Sequence, residues 1–219
     1  MSLAIPHKFI HPITCHFRKR RGAILKQTFP DVEKYRICDI GGSAHFWEKT
    51  GLKVNPDNIT IYNISETEAG SININENNKY NIIIYDGNKI PENDYSYDLV
   101  LCNSVIEHVP VSQRQSLINE IRRVGKNLFL QTPAYEFPIE PHFIMPFMHW
   151  FPRNVGRYLA SISIWRILSR PEKKTIDNYF WGTKLLNSSD INRLLFDCTI
   201  IKEKFFGLTK SYIVICKRN

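Results

Sequence analysis

The chain has 219 residues, enough for one sizeable core, and no Pro/Gly/Ser-rich linker separates its apolar segments. Its apolar fraction of 43% and charged fraction of 23% argue against a disordered chain. The formal charge of +8 is compatible with nucleic acid, anionic lipid or a phosphorylated substrate, and equally with a solvated basic helix face. We therefore expect a single domain over 1–219, with a basic N-terminal helical segment over 1–34 and an insertion over 133–183.

The cysteines indicate a compartment. None of the five belongs to a CxxC pair, and Cys38, Cys102, Cys198 and Cys216 lie in or beside apolar runs, where reduced thiols pack as small hydrophobes. This favours a reducing, cytoplasmic location. Signal-peptide features and an uncharged run long enough for a bilayer are both missing, so we expect a soluble protein, with peripheral contact to the inner membrane face left open.

Continuous apolar runs predict the strands of the fold. Five of them precede the insertion: Tyr35 to Ile40, Ile59 to Ile64, Tyr80 to Tyr85, Tyr97 to Cys102, and Asn127 to Gln131. Such runs are typical of parallel strands buried on both faces, and helical patterns lie between several of them. We therefore expect an α/β fold with a doubly wound sheet, in which Ser71 to Asn78 forms an Asn-rich polar loop.

The end of the chain adds an antiparallel pair. Runs at Thr199 to Phe206 and Ser211 to Cys216 flank Gly207, which predicts a hairpin. The expected sheet is then mostly parallel and seven-stranded, with an antiparallel C-terminal hairpin and the insertion after the fifth strand. A nicotinamide-dependent dehydrogenase would have a sixth parallel strand in place of this hairpin.

Three helices can be located from caps and apolar stripes. One is predicted to begin at Ser112, with Gln115 completing a capping box and Gly125 closing the C-terminus. Another begins near Ser188 or Ser189. A third is predicted over Asn154 to Leu168, with its apolar side formed by Val155, Leu159, Ile162 and either Trp165 or Arg166.

The first strand runs into a glycine turn. It reads Ile37-Cys38-Asp39-Ile40-Gly41-Gly42-Ser43. Because Ser43 and Phe46 stand where a GxGxxG fingerprint needs glycines, a pyrophosphate cradle is poorly supported. The segment instead resembles the D/E-x-G-x-G-x-G motif of class I S-adenosylmethionine-dependent methyltransferases, with Ser43 and His45 replacing the later glycines. The resemblance implies that Asp39, Gly41, Gly42 and Ser43 surround the methionine part of S-adenosylmethionine, with the acid near its amino group.

Three later segments match the same family in order. Asn63 ends the second strand where the family has a ribose-binding acid, and it is followed by Ile64. Tyr85-Asp86-Gly87 resembles the family's adenine site, in which Asp86 would accept from the exocyclic amine. Asn103-Ser104-Val105-Ile106-Glu107-His108 resembles the family's S-x-x-E-H stretch, which implies that Asn103 and Ser104 border the cofactor and that His108 either buttresses the pocket or acts as a base.

The insertion is where we expect the acceptor to bind, because it stands over the carboxyl ends of the strands as a pocket or lid. Its Pro138-Ile139-Glu140-Pro141-His142 stretch is similar to bacterial methyltransferases with a P-I-E-P-H segment. Among His142, Glu140 and His149, we rank His142 first as a catalytic base, because Glu140 is placed to orient or charge-balance its ring. The alternative is that Glu140 and His142 only tie the insertion to the sheet.

The sequence thus predicts methyl transfer from S-adenosylmethionine to a small-molecule, sugar or lipid-linked acceptor. No metal is expected, since His142 and His149 share neither an HExxH helix nor cysteine ligands. An RNA methyltransferase is a rival, favoured by charge and disfavoured by the lack of an N/D-P-P-Y/F motif and of an RNA-binding module, so a nucleic-acid partner is not expected. A non-catalytic cofactor-binding protein and a peripheral membrane protein also remain open, as does the oligomeric state.

Overall fold

The computed structural model describes residues 7–65 and 79–218, with side chains described from Pro12 onward. The predicted polar loop at Ser71 to Asn78 and residues 1–6 of the basic segment lie outside the described residues.

A central sheet organises the described part of the chain. The strands are β1 (Ile37–Ile40), β2 (Ile59–Asn63), β3 (Asn81–Ile84), β4 (Tyr97–Asn103), β5 (Gly125–Pro133), β6 (Ile139–Glu140), β7 (Met145–Pro146), β8 (Thr199–Phe205) and β9 (Leu208–Cys216). Seven of these described strands form one sheet in the order β3-β2-β1-β4-β5-β9-β8, and β6 pairs with β7 separately. The first five are parallel, whereas β9 is antiparallel to both β5 and β8. The predicted fold class is confirmed.

The prediction that every early strand is buried on both faces is wrong for β3. All residues of β1 and β2 are buried, but β3 is only partly covered and Ile84 is exposed. The reason is position: β3 is the edge strand, which has only one neighbour in the sheet.

The helices are α1 (His7–Thr28), α2 (Ala44–Thr50), α3 (Arg114–Val124), α4 (Arg153–Ser161), α5 (Ile164–Ser169), α6 (Lys173–Gly182) and α7 (Ser188–Leu194). One face of the sheet packs against α1 and α2 through residues such as Leu25 and Trp47. The other packs against α3 and α7 through residues such as Ile118 and Ile191. This gives the two helical layers of a doubly wound fold. No helix among the described residues is long and apolar enough to cross a bilayer.

The C-terminal hairpin has the predicted turn. Phe206 and Gly207 occupy its two central positions with φ values of 47° and 80°. Positive φ at both central residues defines a type I′ turn, whose twist matches that of the flanking strands.

The expectation of reduced thiols is wrong for two cysteines. Cys198 and Cys216 form a disulfide across the open end of the β8–β9 hairpin, with their Cα atoms 4.7 Å apart. The pairing of Thr199 with Ile215 sets Cys198 opposite Cys216, at a separation suited to the bond. Cys15, Cys38 and Cys102 are free thiols.

The predicted start of α3 is also wrong. Val111–Gln113 form a short 3₁₀ turn, and the helix begins at Arg114 without a side-chain cap. Gln115 donates to Asn119 rather than completing a capping box. Gly125 is extended and starts β5, where a Cβ would collide with Val100, so close packing rather than a left-handed cap explains this glycine.

The helix predicted over 154–168 is two helices. Ser163 breaks it by accepting a hydrogen bond from the backbone N–H of Arg166 at 3.2 Å, which caps α5. Val155 and Ile162, predicted to lie on the apolar side, are exposed, whereas Trp165 is buried against Phe143 in a separate apolar cluster of the insertion. The predicted start of α7 near Ser188 or Ser189 is close. The helix begins at Ser188, and Asn187, the residue before it, forms a capping box with Asp190.

Candidate active site

A small cavity lies at the carboxyl ends of β1 and β4. Its volume is about 70 Å³, and the lining side chains and turn residues are Arg18, Asp39, Gly41, Gly42, Ser43, Phe46 and Asn103. Four of the predicted cofactor residues on the glycine turn are therefore together here with Asn103 from the end of β4.

Asp39 supplies the carboxyl group of this cavity. It is fully buried, and its Oδ2 accepts a hydrogen bond from the Trp47 indole at 2.7 Å. Its Oδ1 is buried without a hydrogen-bond partner among the described residues. Burial raises the pKa of Asp39 to about 8 because it penalises the charged form. An unpartnered carboxylate oxygen in a cavity of this kind fits a cationic group such as an ammonium.

The two glycines of the turn are required by space. Gly41 has a φ of +63°, and a Cβ at this position would contact Val105. A Cβ at Gly42 would overlap the Asp39 carboxylate. Ser43 needs neither property, because its backbone is extended and precedes α2. The departure from the family motif at Ser43 is therefore compatible with the same turn.

Two arginines of α1 take part in this region, and neither was predicted to do so. Arg18 lines the cavity. Arg21 is buried; it donates to Asn103 Oδ1 at 3.0 Å and forms an ion pair with Glu203 at 2.8 Å. The basic N-terminal cluster was the available signal, but it is equally typical of a solvated helix face.

The predicted ribose and adenine residues lie farther along the same edge. Asn63 is buried and donates to the Gly42 carbonyl at 3.2 Å, which ties the second loop to the glycine turn. Ile64 is 62% exposed. Because Asn63 pairs with Ile84 across parallel strands, the loop carrying Asp86 and Gly87 emerges beside Ile64. In that loop Asp86 Oδ1 accepts from the N–H groups of Asn88 and Lys89, at 2.9 and 3.1 Å.

Ser104 occupies a constrained position after β4. Its φ is 57°, its N–H donates to the Gln131 carbonyl at 2.8 Å, and its hydroxyl donates to Gln131 Oε1 at 2.9 Å. A left-handed non-glycine residue is uncommon, and the two bonds to β5 hold it. The turn at Ser104 then leads the chain into a 3₁₀ turn at Ile106–His108.

Four ionisable residues from this turn and from the insertion form a second group. Glu140 Oε1 contacts His142 Nδ1 at 2.7 Å, and Glu140 Oε2 accepts from the Phe143 N–H at 2.7 Å. The rings of His142 and His108 pack edge to face, with centroids 4.8 Å apart. Glu107 accepts from the Thr132 hydroxyl at 2.9 Å. The predicted catalytic residues His142, Glu140 and His108 are thus brought together.

The environment of this cluster shifts its ionisation. Burial alone would lower the pKa of His142, but the Glu140 carboxylate raises it above its ordinary value. Burial, reinforced by the neighbouring His142, lowers the pKa of His108 to about 4. Burial raises the pKa of Glu107. The pKa values of the two neighbouring imidazoles are thus shifted in opposite directions.

A larger cleft of about 480 Å³ adjoins the cluster. Glu140 belongs to both, and Thr183, which lines the cleft, contacts His108 Nδ1 at 3.2 Å. The wall carries aromatic side chains, among them Tyr135 and Phe151, together with Arg153 and Lys184. His149 also lines the cleft, and its Nε2 contacts the Tyr135 carbonyl at 2.8 Å.

Glu107 belongs to the S-x-x-E-H stretch, but the sequence predicted no function for it. Its position next to His108 was the only signal in the sequence, and its contact with Thr132 of β5 depends on the fold.

Comparisons with known proteins bear on the family and the fold. A family model described as a methyltransferase domain matches residues 38–128. No curated protein matches the chain significantly.

Solved structures resemble the chain in fold. A magnesium protoporphyrin IX methyltransferase from Synechocystis with bound SAH is 14% identical, with a TM-score of 0.56, covering 100% of this chain and 90% of that one. A protein from Rhodobacter sphaeroides, provisionally assigned as a Zn-dependent alcohol dehydrogenase, is 13% identical, with a TM-score of 0.59 and coverages of 91% and 89%. The methyltransferase domain of a bacterial Hen1 is 10% identical, with a TM-score of 0.56 and coverages of 94% and 98%.

Identities this low show the fold alone. The family match and the antiparallel β8–β9 pair favour a methyltransferase over a dehydrogenase, because the sheet of a nicotinamide-dependent dehydrogenase would end in a sixth parallel strand. Residues 38–128 therefore match a methyltransferase-domain model, and the described sheet has the Rossmann-like methyltransferase fold.

Proposed function

We propose that the protein transfers a methyl group from S-adenosylmethionine to a small-molecule, sugar or lipid-linked acceptor bound in the 480 Å³ cleft. The cofactor supplies a methyl group on a positively charged sulfur, which an acceptor atom displaces directly. The protein must then hold the acceptor in line and keep water away.

The observation that carries the proposal is that Asp39 and the glycine turn line the same cavity. The buried, unpartnered Oδ1 of Asp39 suits the cofactor's ammonium group, and Arg18 in the same cavity suits its carboxylate. Asn63, Ile64, Asp86 and Gly87 lie along the edge where ribose and adenine would follow.

On the acceptor side, the proposal is supported by Glu140, which lines the cleft, and by His142 and His108, which contact the cleft residues Glu140 and Thr183. Glu140 fixes the orientation of His142 through Nδ1. The sequence-based role of His142 as a base, without a metal, remains a prediction. If His142 acts on the acceptor, substituting it should lower the turnover rate and leave the affinity for the cofactor unchanged.

The character of the cleft favours an acceptor with an apolar part and an anionic group. Phe151 and Arg153 line it, and the Arg153 guanidinium lies 4.6 Å from the Trp181 ring centroid. Phe147, Trp150 and Phe151 are exposed on the insertion, which supports peripheral contact with a membrane when the acceptor is lipid-linked. A nucleic-acid acceptor is disfavoured, because Arg18 and Arg21 of the basic cluster face the cavity and its neighbours.

Calorimetric titration with S-adenosylmethionine and, separately, S-adenosylhomocysteine tests the donor. We expect micromolar binding of either. No heat and no thermal stabilisation with both would end the methyltransferase proposal. Binding without methyl transfer across a panel of hydroxyl, amine and lipid-linked acceptors would favour a non-catalytic cofactor-binding protein.

Substitution of His142 tests the acceptor side. We expect His142→Ala to lower turnover about 100-fold while sparing cofactor affinity, because the ring acts at the acceptor. His16→Ala is the matched control, since His16 is exposed on α1. Full activity of His142→Ala would leave this residue only a packing role.

A further inference from the structure

Glu107 presents an unusual buried group. Its residue exposure is 0%, and while Oε2 accepts from Thr132, Oε1 is buried with no hydrogen-bond partner among the described residues. Leaving a carboxylate oxygen buried and unpartnered is costly unless something else occupies the position. The backbone of Glu107 is also held, because its carbonyl accepts from the Lys184 N–H at 2.8 Å. The backbone at Glu107 is therefore fixed, while Oε1 has no hydrogen-bond partner in the described part of the chain.

Two imidazoles flank this carboxylate with their Nδ1 atoms already engaged. Glu140 contacts His142 Nδ1 at 2.7 Å, and Thr183 contacts His108 Nδ1 at 3.2 Å. These contacts leave Nε2 of each ring to act as a ligand. One ligand atom from each of Glu107, His108 and His142 lies within 4.8 Å of the others.

We propose that Glu107, His108 and His142 bind a divalent transition-metal ion of the Zn²⁺ or Fe²⁺ type. Two imidazoles and one carboxylate are a ligand set typical of such ions, and three protein ligands leave a coordination position open. Bonds of about 2.1 Å would draw the three atoms closer by roughly an ångström, within reach of small side-chain rotations.

Glu140 has the role of an orienting partner in this site. Histidine ligands usually donate their second ring N–H to a carboxylate, which fixes the tautomer and raises the basicity of the coordinating nitrogen. Glu140 provides such a contact to His142, and the Phe143 N–H holds its other oxygen. The predicted absence of a metal considered His142 with His149, and His149 is not a member of the three-residue group.

The use of the ion, unlike its binding, rests on the proposed function. An acceptor hydroxyl at the open position would lose its proton to water more readily, because the cation stabilises the oxyanion. The oxygen lone pair then forms the bond to the methyl carbon, and the carbon–sulfur electron pair returns to sulfur. In this arrangement His142 Nε2 coordinates the ion and so cannot also take the proton, which replaces the base role predicted for His142.

The test measures metal binding without cofactor or acceptor. The full-length protein is stripped with a chelator and titrated with Co²⁺, following visible ligand-field absorption, and with Zn²⁺ by calorimetry. We expect one ion per chain in the wild type and at least tenfold weaker binding in Glu107→Gln and in His108→Ala. Glu140→Gln should weaken binding about tenfold through His142. His149→Ala should bind like the wild type.

Equal Co²⁺ affinity and spectra in the wild type and Glu107→Gln would overturn the proposal, as would the absence of binding in the wild type. Far-ultraviolet circular dichroism and an S-adenosylmethionine titration of each variant establish that it is folded. Because the metal titration needs no methyl donor, loss of metal binding with intact cofactor binding would reject only this inference. The reverse result would reject only the proposed donor.

Discussion

Two buried carboxylates mark the two halves of the site, and their surroundings differ. Asp39 lies in β1 and Glu107 in the 3₁₀ turn after β4. Both are 0% exposed, and each has one oxygen bonded and one without a hydrogen-bond partner among the described residues. Asp39 lies in a cavity with an arginine and backbone turns. Glu107 lies beside two imidazoles whose Nδ1 atoms are engaged. An unpartnered carboxylate oxygen thus suits an ammonium group in one place and a metal ion in the other.

Replacing each carboxylate by its amide, one at a time, distinguishes the roles of Asp39 and Glu107. We expect Asp39→Asn to weaken S-adenosylmethionine binding roughly 30-fold, since a charge-assisted hydrogen bond contributes about 2 kcal/mol. Asparagine can still accept from Trp47, so the fold is preserved. Glu107→Gln should change cofactor affinity less than twofold. Calorimetric titration of both variants measures these losses of cofactor affinity. Equal losses in Asp39→Asn and Glu107→Gln would show that the two carboxylates do not have different roles.

Stability against pH sharpens the difference further. The folded-state pKa of Asp39 is about 8, above its ordinary value near 3.8. Between these values the unfolded chain ionises Asp39 and the folded chain does not, so the free energy of unfolding falls as pH rises. The slope from this residue is about 1.4 kcal/mol per pH unit. In urea unfolding of the cofactor-free protein at pH 5, 6 and 7, the free energy of unfolding should fall more steeply in the wild type than in Asp39→Asn, by about this slope. Equal slopes would contradict the burial argument.

Arg18 extends the comparison to the opposite charge. If it binds the cofactor's carboxylate, Arg18→Gln should weaken S-adenosylmethionine binding about tenfold. Lys19→Gln is the matched control, because Lys19 is exposed on the same helix. Equal affinities of the two variants would show that only the bulk charge of α1 matters.

The smallest effect is expected at Asp86, whose side chain is exposed to solvent. Its Oδ1 holds the turn through Asn88 and Lys89. Asp86→Asn keeps one side-chain oxygen to accept from Asn88 and Lys89 and replaces the second carboxylate oxygen with an amide nitrogen. If the second oxygen binds the adenine amine, the affinity for S-adenosylmethionine should fall about fivefold. Unchanged affinity in the same titration would remove Asp86 from the site.

The region before the insertion was more predictable than the insertion itself. Asp39, Gly41 and Gly42 follow a strand in one short segment, so sequence order alone brings them together. The helix predicted over 154–168 instead breaks at Ser163, and Val155 turns outward. Its pattern was amphipathic, but the face that is buried depends on Phe143 and the rest of a separate cluster.

By itself the sequence determined the parallel strands, the C-terminal hairpin and the glycine turn, because each is encoded by neighbouring residues: buried apolar runs, a glycine with positive φ, and a tight space behind it. Only the tertiary structure decided which distant groups meet. Glu107 and His142 are 35 positions apart in the chain yet lie in one cluster, Arg18 of α1 lines the same cavity as Asp39, and Cys198 pairs with Cys216 through strand register. Such contacts depend on distances between segments, which no local pattern specifies.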